Sequence, residues 1–185
     1  GIRRARRDGD AAYLRALLRY RGALSRRNAA LRQQQGDVAR ACEPILAAEG
    51  ALLVDRRVAW AASAGGAFAS ELAGLNESGR SSLEYAGRPE LAEPGAWTEA
   101  FTSSFATDRA RGITTIGPHR DDVALAIDGQ SLRAYGSTGQ LRSAAIALKL
   151  LELGTLRERR GLEPALLLDD VFAELDSERQ RRLAT

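Results

Sequence analysis

Methionine is absent from the 185-residue sequence, and cysteine, histidine and lysine each occur once. A single cysteine, Cys42, excludes an intrachain disulfide and suits a reducing cytosol, where it serves as a small apolar side chain. The aliphatic runs are only a few residues long, so no segment predicts a membrane span. No apolar stretch follows the Arg-rich start, so no signal peptide is indicated. We therefore expect a cytoplasmic protein.

Charge is distributed unevenly along the chain. Residues 1–40 contain eleven arginines against three aspartates, a balance of +8, which leaves −5 for the remainder of a chain whose net charge is +3. A basic segment beside an acidic body favours a polyanionic partner such as nucleic acid. A solvated helix surface explains the same pattern, and the composition alone leaves both interpretations open.

The first hundred residues predict a helical arm. Residues 10–35 have the spacing of a helix that packs against a returning helix, and Gln35-Gly36-Asp37 predicts a turn in which Gly36 ends one helix and Asp37 caps the next. The heptad pattern comprises Leu17, Leu24 and Leu31 with Leu14, Arg21 and Asn28 at the offset positions.

A second helical region is predicted from Val38 to Leu75, with Pro44 in its first turn or at a kink and Gly65-Gly66 as a break. Residues 76–94 predict a connection that contains a short strand at Leu83 to Tyr85. Aromatic side chains then recur every four residues, and we interpret this stripe as core packing of a short helix rather than as a base-stacking surface; it comprises Trp97, Phe101 and Phe105.

After Gly112 the pattern changes to that of a mixed α/β body. Ile113 to Ile116 is β-branched, Val123 to Ile127 alternates, and Asp128-Gly129 predicts a hairpin turn with Leu132 to Tyr135 as the return strand. A helix from Ser137 to about Arg160, apolar nearly all round in its first half, is expected to be deeply buried. A strand at Ala165 to Leu168 follows. We therefore predict an arm at residues 1–110 and an α/β portion at residues 111–185.

The stretch LLLDD at residues 166–170 ends an aliphatic strand in two carboxylates. Ligands of α/β sheets bind at the carboxyl ends of the strands, and adjacent side chains on an extended backbone point in opposite directions. One carboxylate is then placed to hold Mg²⁺ while the other faces a second partner, which is the Walker B arrangement. An ordinary strand that ends in a polar loop is the alternative.

Ser137-Thr138-Gly139-Gln140 opens the long helix. A hydroxyl, a residue without Cβ and a helix N-terminus together suit a phosphate, although a serine that merely caps the helix has the same appearance. The order of segments is more specific than the tetrapeptide. Ser-x-Gly-Gln, a helix, a strand with Asp169-Asp170 and then Glu174-Leu175-Asp176 follow the order of signature motif, Walker B and D-loop in ABC-type ATPases.

A third block, Gly117-Pro118-His119-Arg120-Asp121-Asp122, contains the single histidine. Together with Ser137 to Arg142, Ala147 to Leu150, Leu166 to Asp176, and Tyr13 and Arg27-Asn28 in the arm, this block resembles the RecF family of bacterial recombination and repair ATPases. The resemblance covers nearly the whole chain and is strongest from Arg111 onward. It implies the fold of a partial ABC-type (P-loop NTPase) head with an α-helical arm subdomain.

The resemblance also implies roles for individual residues. Asp169 would hold Mg²⁺, Asp170 would orient the attacking water, and Asp176 would act across the dimer interface. The signature residues Ser137, Gly139 and Gln140 would contact the γ-phosphate of ATP bound to a second subunit. His119, Arg120 and Arg142 would have supporting roles. The implied cofactors are ATP and Mg²⁺, and the implied partners are DNA, a second subunit and mediator proteins of the RecR and RecO type.

One departure from the family pattern concerns the phosphate-binding loop, the Walker A motif. The sequence has no G-x-x-x-x-G-K-[ST], and its one lysine, Lys149, lies inside the signature helix. We therefore expect an internal piece of a longer protein that does not hydrolyse ATP alone. The whole protein is expected to dimerise with ATP, bind DNA at gaps or single-strand/double-strand junctions and assist recombinase loading in the SOS response. Another SMC-like or ABC-type ATPase, a non-enzymatic partner-docking arm and a Mg²⁺-dependent nuclease are the alternatives.

Overall fold

The computed structural model describes residues 2–161, with the side chains of residues 11–158 and 161. In this range a helical first part is followed by a small sheet and a long final helix. The order is α1 (Ile2–Arg32), α2 (Gly36–Ala41), α3 (Glu43–Gly74), β1 (Ser81–Ala86), a 3-10 helix (Pro89–Ala92), α4 (Ala96–Arg111), β2 (Asp122–Ile127), β3 (Gln130–Ser131), α5 (Leu132–Tyr135) and α6 (Thr138–Arg160).

The chain divides into two compact units. Within the described residues, the first contains residues 2–60 and 85–123, and the second contains residues 61–84 and 124–161. The three strands form one sheet in the order β1-β2-β3, in which β2 and β3 are antiparallel. The functional boundary between arm and head portion at residues 110 and 111 stays a prediction.

The buried face of α1 differs from the predicted heptad face. Leu14 and Leu18 are 55% and 61% exposed, and Leu17 and Leu24 are only partly buried. A stripe of mostly small residues makes the close contact instead, at helical spacings of three and four; it comprises Ala16, Tyr20, Ala23, Arg27 and Ala30. Small side chains let neighbouring elements approach closely, and this places Leu14, Leu17 and Leu24 at the margins of the contact, whereas Leu31 is buried at 1% exposure as the heptad predicts.

The connection after α1 also differs from the prediction. Gln34, not Gly36, adopts the left-handed conformation with φ of 58°, and Gly36 begins α2. Asp37 lies in the first turn of α2, while Gln35 occupies the N-cap without a side-chain bond. The helix start is favoured by the negative charge of Asp37 near the amide end rather than by a side-chain cap.

The predicted long helix from Val38 to Leu75 is two helices, α2 and α3. Pro44 lies in the first turn of α3, where its missing N–H costs nothing. Gly65 and Gly66 do not break α3, contrary to the prediction. A Cβ on Gly65 would be 3.4 Å from the carbonyl oxygen of Leu83 in β1. Glycine therefore allows close backbone approach at this point, and the packing keeps the helix intact.

The core of the first unit forms around the aromatic stripe of α4, as predicted. Trp97 and Phe101 are 1% and 3% exposed, with ring centroids 5.3 Å apart, and the Trp97 indole N–H donates to the carbonyl oxygen of Leu91 at 2.8 Å. Leu46 and Leu53 of α3 belong to the same buried cluster. Burial of large aromatic and aliphatic side chains is the main stabilising contribution in this unit.

The predicted hairpin turn is present in the second unit, but its return strand is short. Asp128 and Gly129 have φ values of 49° and 76°, as a tight hairpin turn requires. Only Gln130–Ser131 pair with β2, and Leu132–Tyr135 form a one-turn helix instead of the predicted strand. Leu132 is 3% exposed while Tyr135 is 75% exposed, so burial of one leucine in a helical turn replaces the expected alternation.

Helix α6 begins after Ser137 and ends at Arg160, with Gly161 in the left-handed conformation as its C-cap, as predicted. Burial is one-sided, contrary to the expectation of deep burial. Ala144 and Ile146 are buried, whereas Leu141 is 45% exposed. Arg142, Ala145 and Lys149 are also exposed, so the apolar composition of the first half does not amount to a helix buried all round.

The β-branched run Ile113 to Ile116 is not a strand. Its polar groups bond to side chains of α1 and α4 instead of to a neighbouring strand, and this explains the irregular backbone. The predicted strand Ala165 to Leu168 lies outside the described residues. No helix within residues 2–161 combines the length and apolar character of a membrane span.

Candidate functional site

The predicted site residues fall in three places. Asp169, Asp170 and Asp176 lie outside the described residues, so their roles stay predictions. Ser137 and the signature residues that follow it lie at the start of α6, in the second unit. The block that includes His119 lies in the irregular segment between α4 and β2, in the first unit.

The start of α6 is a complete capping box. The Ser137 Oγ accepts a hydrogen bond from the Gln140 backbone N–H at 3.1 Å, and the Gln140 Oε1 accepts one from the Ser137 N–H at 2.9 Å. Ser-x-x-Gln is the spacing that permits this reciprocal pair, because the cap and the third helical residue face each other. The signature sequence therefore fixes the first turn of its own helix.

Hydrogen-bond donors remain at this helix end for a ligand. The first amides of a helix, here those of Thr138 and Gly139, precede the first intrahelical hydrogen bond. The Ser137 Oγ accepts from Gln140, so its hydroxyl proton is still able to donate outward, and the Gln140 side-chain amide group also has its N–H donors. Ser137 and Gly139 are exposed. These donors and the helix dipole suit a phosphate oxygen.

The glycine at position 139 has no explanation within the described chain. It lies in the first helical turn rather than in a left-handed conformation, and a Cβ built on it would come no closer than 3.8 Å to another atom, the Ser137 Oγ. Glycine inside a helix costs about 0.5–1 kcal/mol relative to alanine. Close approach of a ligand to the backbone provides a reason for that cost. Gly136 differs, since its Cβ would be 2.5 Å from the Leu132 carbonyl oxygen.

Three exposed side chains surround this helix end. Tyr135 precedes the cap and is 75% exposed, Leu141 is 45% exposed, and Arg142 is exposed on the second turn of α6. The sequence motif indicated Arg142 but neither Tyr135 nor Leu141. The feature of the sequence that could have indicated Tyr135 and Leu141 is their position next to Ser137 to Gln140.

His119 is held from both ring nitrogens. Its Nε2 lies 3.0 Å from the carbonyl oxygen of Thr114, and its Nδ1 lies 2.8 Å from the Tyr20 hydroxyl. A carbonyl oxygen only accepts, so Nε2 carries the proton and Nδ1 accepts from Tyr20. Burial lowers the pKa of His119, which favours this neutral form. The backbone N–H of Arg120 donates to the carbonyl oxygen of Gly117 at 2.9 Å and closes the turn.

A buried ion pair lies beside this block. The Arg27 Nη1 donates to the Asp108 Oδ2 at 2.7 Å and to the Thr114 Oγ1 at 2.8 Å, and both charged side chains are 0% exposed. The Arg27 Nη2 donates to the partly exposed Glu43 at 3.0 Å. Asn28 accepts from the Thr114 backbone N–H at 2.8 Å. The arm motif Arg27-Asn28 thus holds the segment that leads into the block.

Asp121 forms a second polar cluster with Tyr85 and Arg57, which no sequence motif indicated. The Tyr85 hydroxyl donates to its Oδ2, and the Arg57 Nη1 lies 3.6 Å from the same oxygen. Arg57 also donates to the Pro118 carbonyl oxygen and to the Tyr13 hydroxyl. Burial, then the bond to Asp121, raises the pKa of Tyr85. No pattern in the sequence pairs these residues, since 36 positions separate Tyr85 from Asp121 and 61 separate Arg57 from Pro118.

Metal binding has no candidate group within residues 2–161. Among the described side chains, no three of His, Cys, Asp or Glu are clustered as a metal ion would require. The predicted Mg²⁺ ligand, Asp169, lies beyond this range.

Comparison with known proteins identifies relatives along nearly the whole chain. A DNA replication and repair protein RecF from Chloroflexus aurantiacus is 38% identical over 193 aligned residues, which cover 94% of this chain and 49% of the relative. RecF from Anaeromyxobacter sp. strain K is 41% identical over 174 residues, covering 89% and 46%. The chain spans about half the length of the curated relatives it matches. No protein-family model matches the chain.

Solved structures of RecF have the same fold. The recombination mediator protein RecF with ATP, described in the RecFOR pathway, is similar with a TM-score of 0.78 and 31% identity over 98% of this chain and 53% of that one. The corresponding complex with ATPγS has a TM-score of 0.75 and 33% identity. These matches confirm the predicted fold class, a partial ABC-type ATPase head with a helical arm. Along nearly its whole length the chain is therefore similar to RecF, a DNA replication and repair protein, of which it spans about half.

Proposed function

We propose that the chain supplies the signature half of a RecF-type DNA-repair ATPase and contacts ATP held by a second subunit. Gly139 carries this proposal, because its missing side chain is unexplained by the fold and lies beside exposed hydrogen-bond donors. The similarity to a RecF–ATP complex supports it. The sequence order of signature, Walker B and D-loop points to the same split arrangement.

At such a site the first turn of α6 would bind the γ-phosphate. The Ser137 hydroxyl and the amide of Gly139 would donate to phosphate oxygens, and Gln140 would keep the serine oriented through the capping box. Phosphoryl transfer depends on positioning and charge stabilisation more than on covalent catalysis. A phosphate shared between subunits would make dimerisation depend on ATP.

Mg²⁺ would supply charge neutralisation at the transferring phosphoryl group when bound. Asp169 would hold it, Asp170 would orient the attacking water and Asp176 would act across the interface. Arg142 and the 119–120 pair are supporting candidates. The whole protein would be cytoplasmic, bind DNA at gaps or single-strand/double-strand junctions and assist recombinase loading with RecR- and RecO-type mediators. Its DNA contacts would go mainly to phosphates and weaken with salt.

A glycine substitution separates this proposal from a purely structural helix start. We expect Gly139→Ala to raise helix stability, since the Cβ has room, and yet to weaken ATP-dependent dimerisation by blocking the phosphate. The assay uses a hybrid in which this chain is joined to the half of the Chloroflexus aurantiacus RecF that it does not match. Light scattering with and without ATP reports dimerisation, and phosphate release reports turnover.

Two variants of the same turn serve as controls. Ser137→Asp keeps a good N-cap but places a carboxylate against the phosphate, so the hybrid should fold and lose ATP response. Thr138→Ala changes an exposed neighbouring side chain and should leave the ATP response of the hybrid unchanged. Full ATP response in both Gly139→Ala and Ser137→Asp would refute the proposed contact.

The chain by itself is expected to show no ATP turnover, because the Walker A motif is absent from its sequence. Phosphate release by the purified 185-residue chain measures this. Turnover that disappears in Asp169→Ala would contradict the expectation.

A further inference from the structure

The first unit contains a pocket that the proposed ATP site does not involve. Its volume is about 260 Å³, and it lies between α1, α3 and the segment around Pro118. Apolar side chains form one part of its lining and cationic or hydrogen-bonding side chains form the other; the lining includes Leu17, Leu24, Leu53, Arg21, Arg57 and His119. A recess of this volume is smaller than the range of about 300–1,000 Å³ typical of small-molecule sites, so it suits a single large side chain.

The two arginines of the pocket differ in their charge balance. Arg57 is neutralised by Asp121 and bonded to the Pro118 carbonyl oxygen, and its side chain is 29% exposed. Arg21 is exposed, and the ion pairs formed among the described residues do not include it. Among the described side chains, this exposed cation of the pocket lining therefore forms no ion pair with an anion.

An exposed apolar strip continues from the pocket along α1. At about 100° per residue, Leu24, Leu17, Arg21, Leu14 and Leu18 fall within an arc of about 120°. Leu14 and Leu18 are 55% and 61% exposed. The strip and the pocket together form what we term the arm groove. Apolar surface next to a recess marks a protein-binding surface.

The charge around the arm groove selects the partner. The arginines that line the groove are Arg21 and Arg57, whereas Arg19 pairs with Glu49 and Arg27 is buried against Asp108. Nucleic acid would meet the arginines through its phosphates but would gain nothing from the leucines and the recess. A peptide segment with a large apolar side chain and adjacent carboxylates satisfies both features.

We propose that the arm groove binds an acidic peptide segment of a partner protein. One large apolar side chain enters the pocket between Leu17, Leu24 and Leu53, and a neighbouring Asp or Glu pairs with Arg21. This interaction needs no nucleotide, so it stands independently of the proposed ATP contact.

Selection of a random peptide library displayed on phage against the immobilised 185-residue chain tests the proposal. The expected result is enrichment of peptides that carry a large apolar residue beside Asp or Glu. Replacing the apolar residue of an enriched peptide by Ala should weaken binding about tenfold or more, measured by fluorescence anisotropy. Absence of enrichment, or enrichment of basic or purely apolar peptides, would overturn the proposal.

Two charge reversals on α1 provide the matched comparison. Arg21→Glu should weaken binding of the enriched peptide by about tenfold or more. Arg26 is exposed on a different side of the helix, and Arg26→Glu should change the same affinity less than about twofold. Both variants have the same net charge, so binding of a double-stranded DNA probe should weaken equally in both. Equal loss of peptide binding in the two variants would reduce the effect to general electrostatics and refute a site at Arg21.

Discussion

Replacing Asp108 by Ala is expected to remove much of the stability of the first unit. Both Asp108 and Arg27 are fully buried, and their closest nitrogen and oxygen are 2.7 Å apart. The Asp108 carboxylate also accepts from the Thr115 backbone N–H at 2.8 Å and from the Thr115 hydroxyl at 2.5 Å. Its loss leaves a buried guanidinium with only Glu43, which is 21% exposed, as a charged partner.

The magnitude follows from the burial of the remaining charge. Breaking a buried ion pair by removing one partner costs about 3–5 kcal/mol, because the other charge stays desolvated. At roughly 2–4 °C per kcal/mol for a chain of this size, the melting temperature should fall by about 6–20 °C. Asp108→Asn keeps an oxygen for the Thr115 N–H and should lose less.

Urea unfolding followed by tryptophan fluorescence measures this effect, since Trp97 is 1% exposed in the core of the same unit. The double variant Arg27→Met/Asp108→Leu removes both charges and should be more stable than Asp108→Ala. A loss below about 1 kcal/mol in Asp108→Ala, or a double variant less stable than the single one, would refute the reasoning that an uncompensated buried charge sets the cost.

Three further predictions follow from the same structure. Because burial lowers the pKa of His119, the only histidine, the unfolded chain binds its proton more tightly; stability should be full above pH 6.5 and fall as the pH drops below it. His119→Gln should make the urea midpoint less dependent on pH over this range, and an unchanged pH dependence would contradict the role of His119. Gly50→Ala should cost about 1–3 kcal/mol in urea unfolding, because its Cβ would be 2.5 Å from the Trp97 Cη2. Gly22→Ala, with open space around it, should instead gain about 0.5–1 kcal/mol, and equal effects of both would refute the packing argument. Ser137→Ala should destabilise α6 by about 1 kcal/mol, seen as a lower helical melting temperature, whereas Ser137→Asp should not; equal losses would show that the capping box contributes little.

Features with short-range causes could be predicted from the sequence. The capping box needs only residues 137 and 140, the stop at Gly161 needs one left-handed glycine, and the turn at Asp128-Gly129 needs two residues with positive φ. The spacing of Trp97 and Phe101 likewise identified a buried helix face. The signature helix, which carries the described part of the candidate site, belongs to this group.

Other features depended on neighbours far away in the chain. Gly65-Gly66 has the composition of a helix break, yet the approach of the Leu83 backbone makes glycine useful inside an unbroken helix. The run Ile113 to Ile116 has strand composition, but its backbone donors bond to Asn28 and Asp108. Local propensity was overridden in both cases by packing and hydrogen bonding.

By itself the sequence determined the order of the motifs and the start and end of the signature helix, since each single motif and each helix end depends on residues close together in the chain. The tertiary structure decided which face of α1 is buried and which polar residues meet. The sequence marks Arg27 as part of an arm motif but does not indicate its partners, and only the fold brings Asp108 and Thr114, 81 and 87 positions away, to its guanidinium. A buried charge requires partners, and partners at such separation are fixed by the fold rather than by any local pattern.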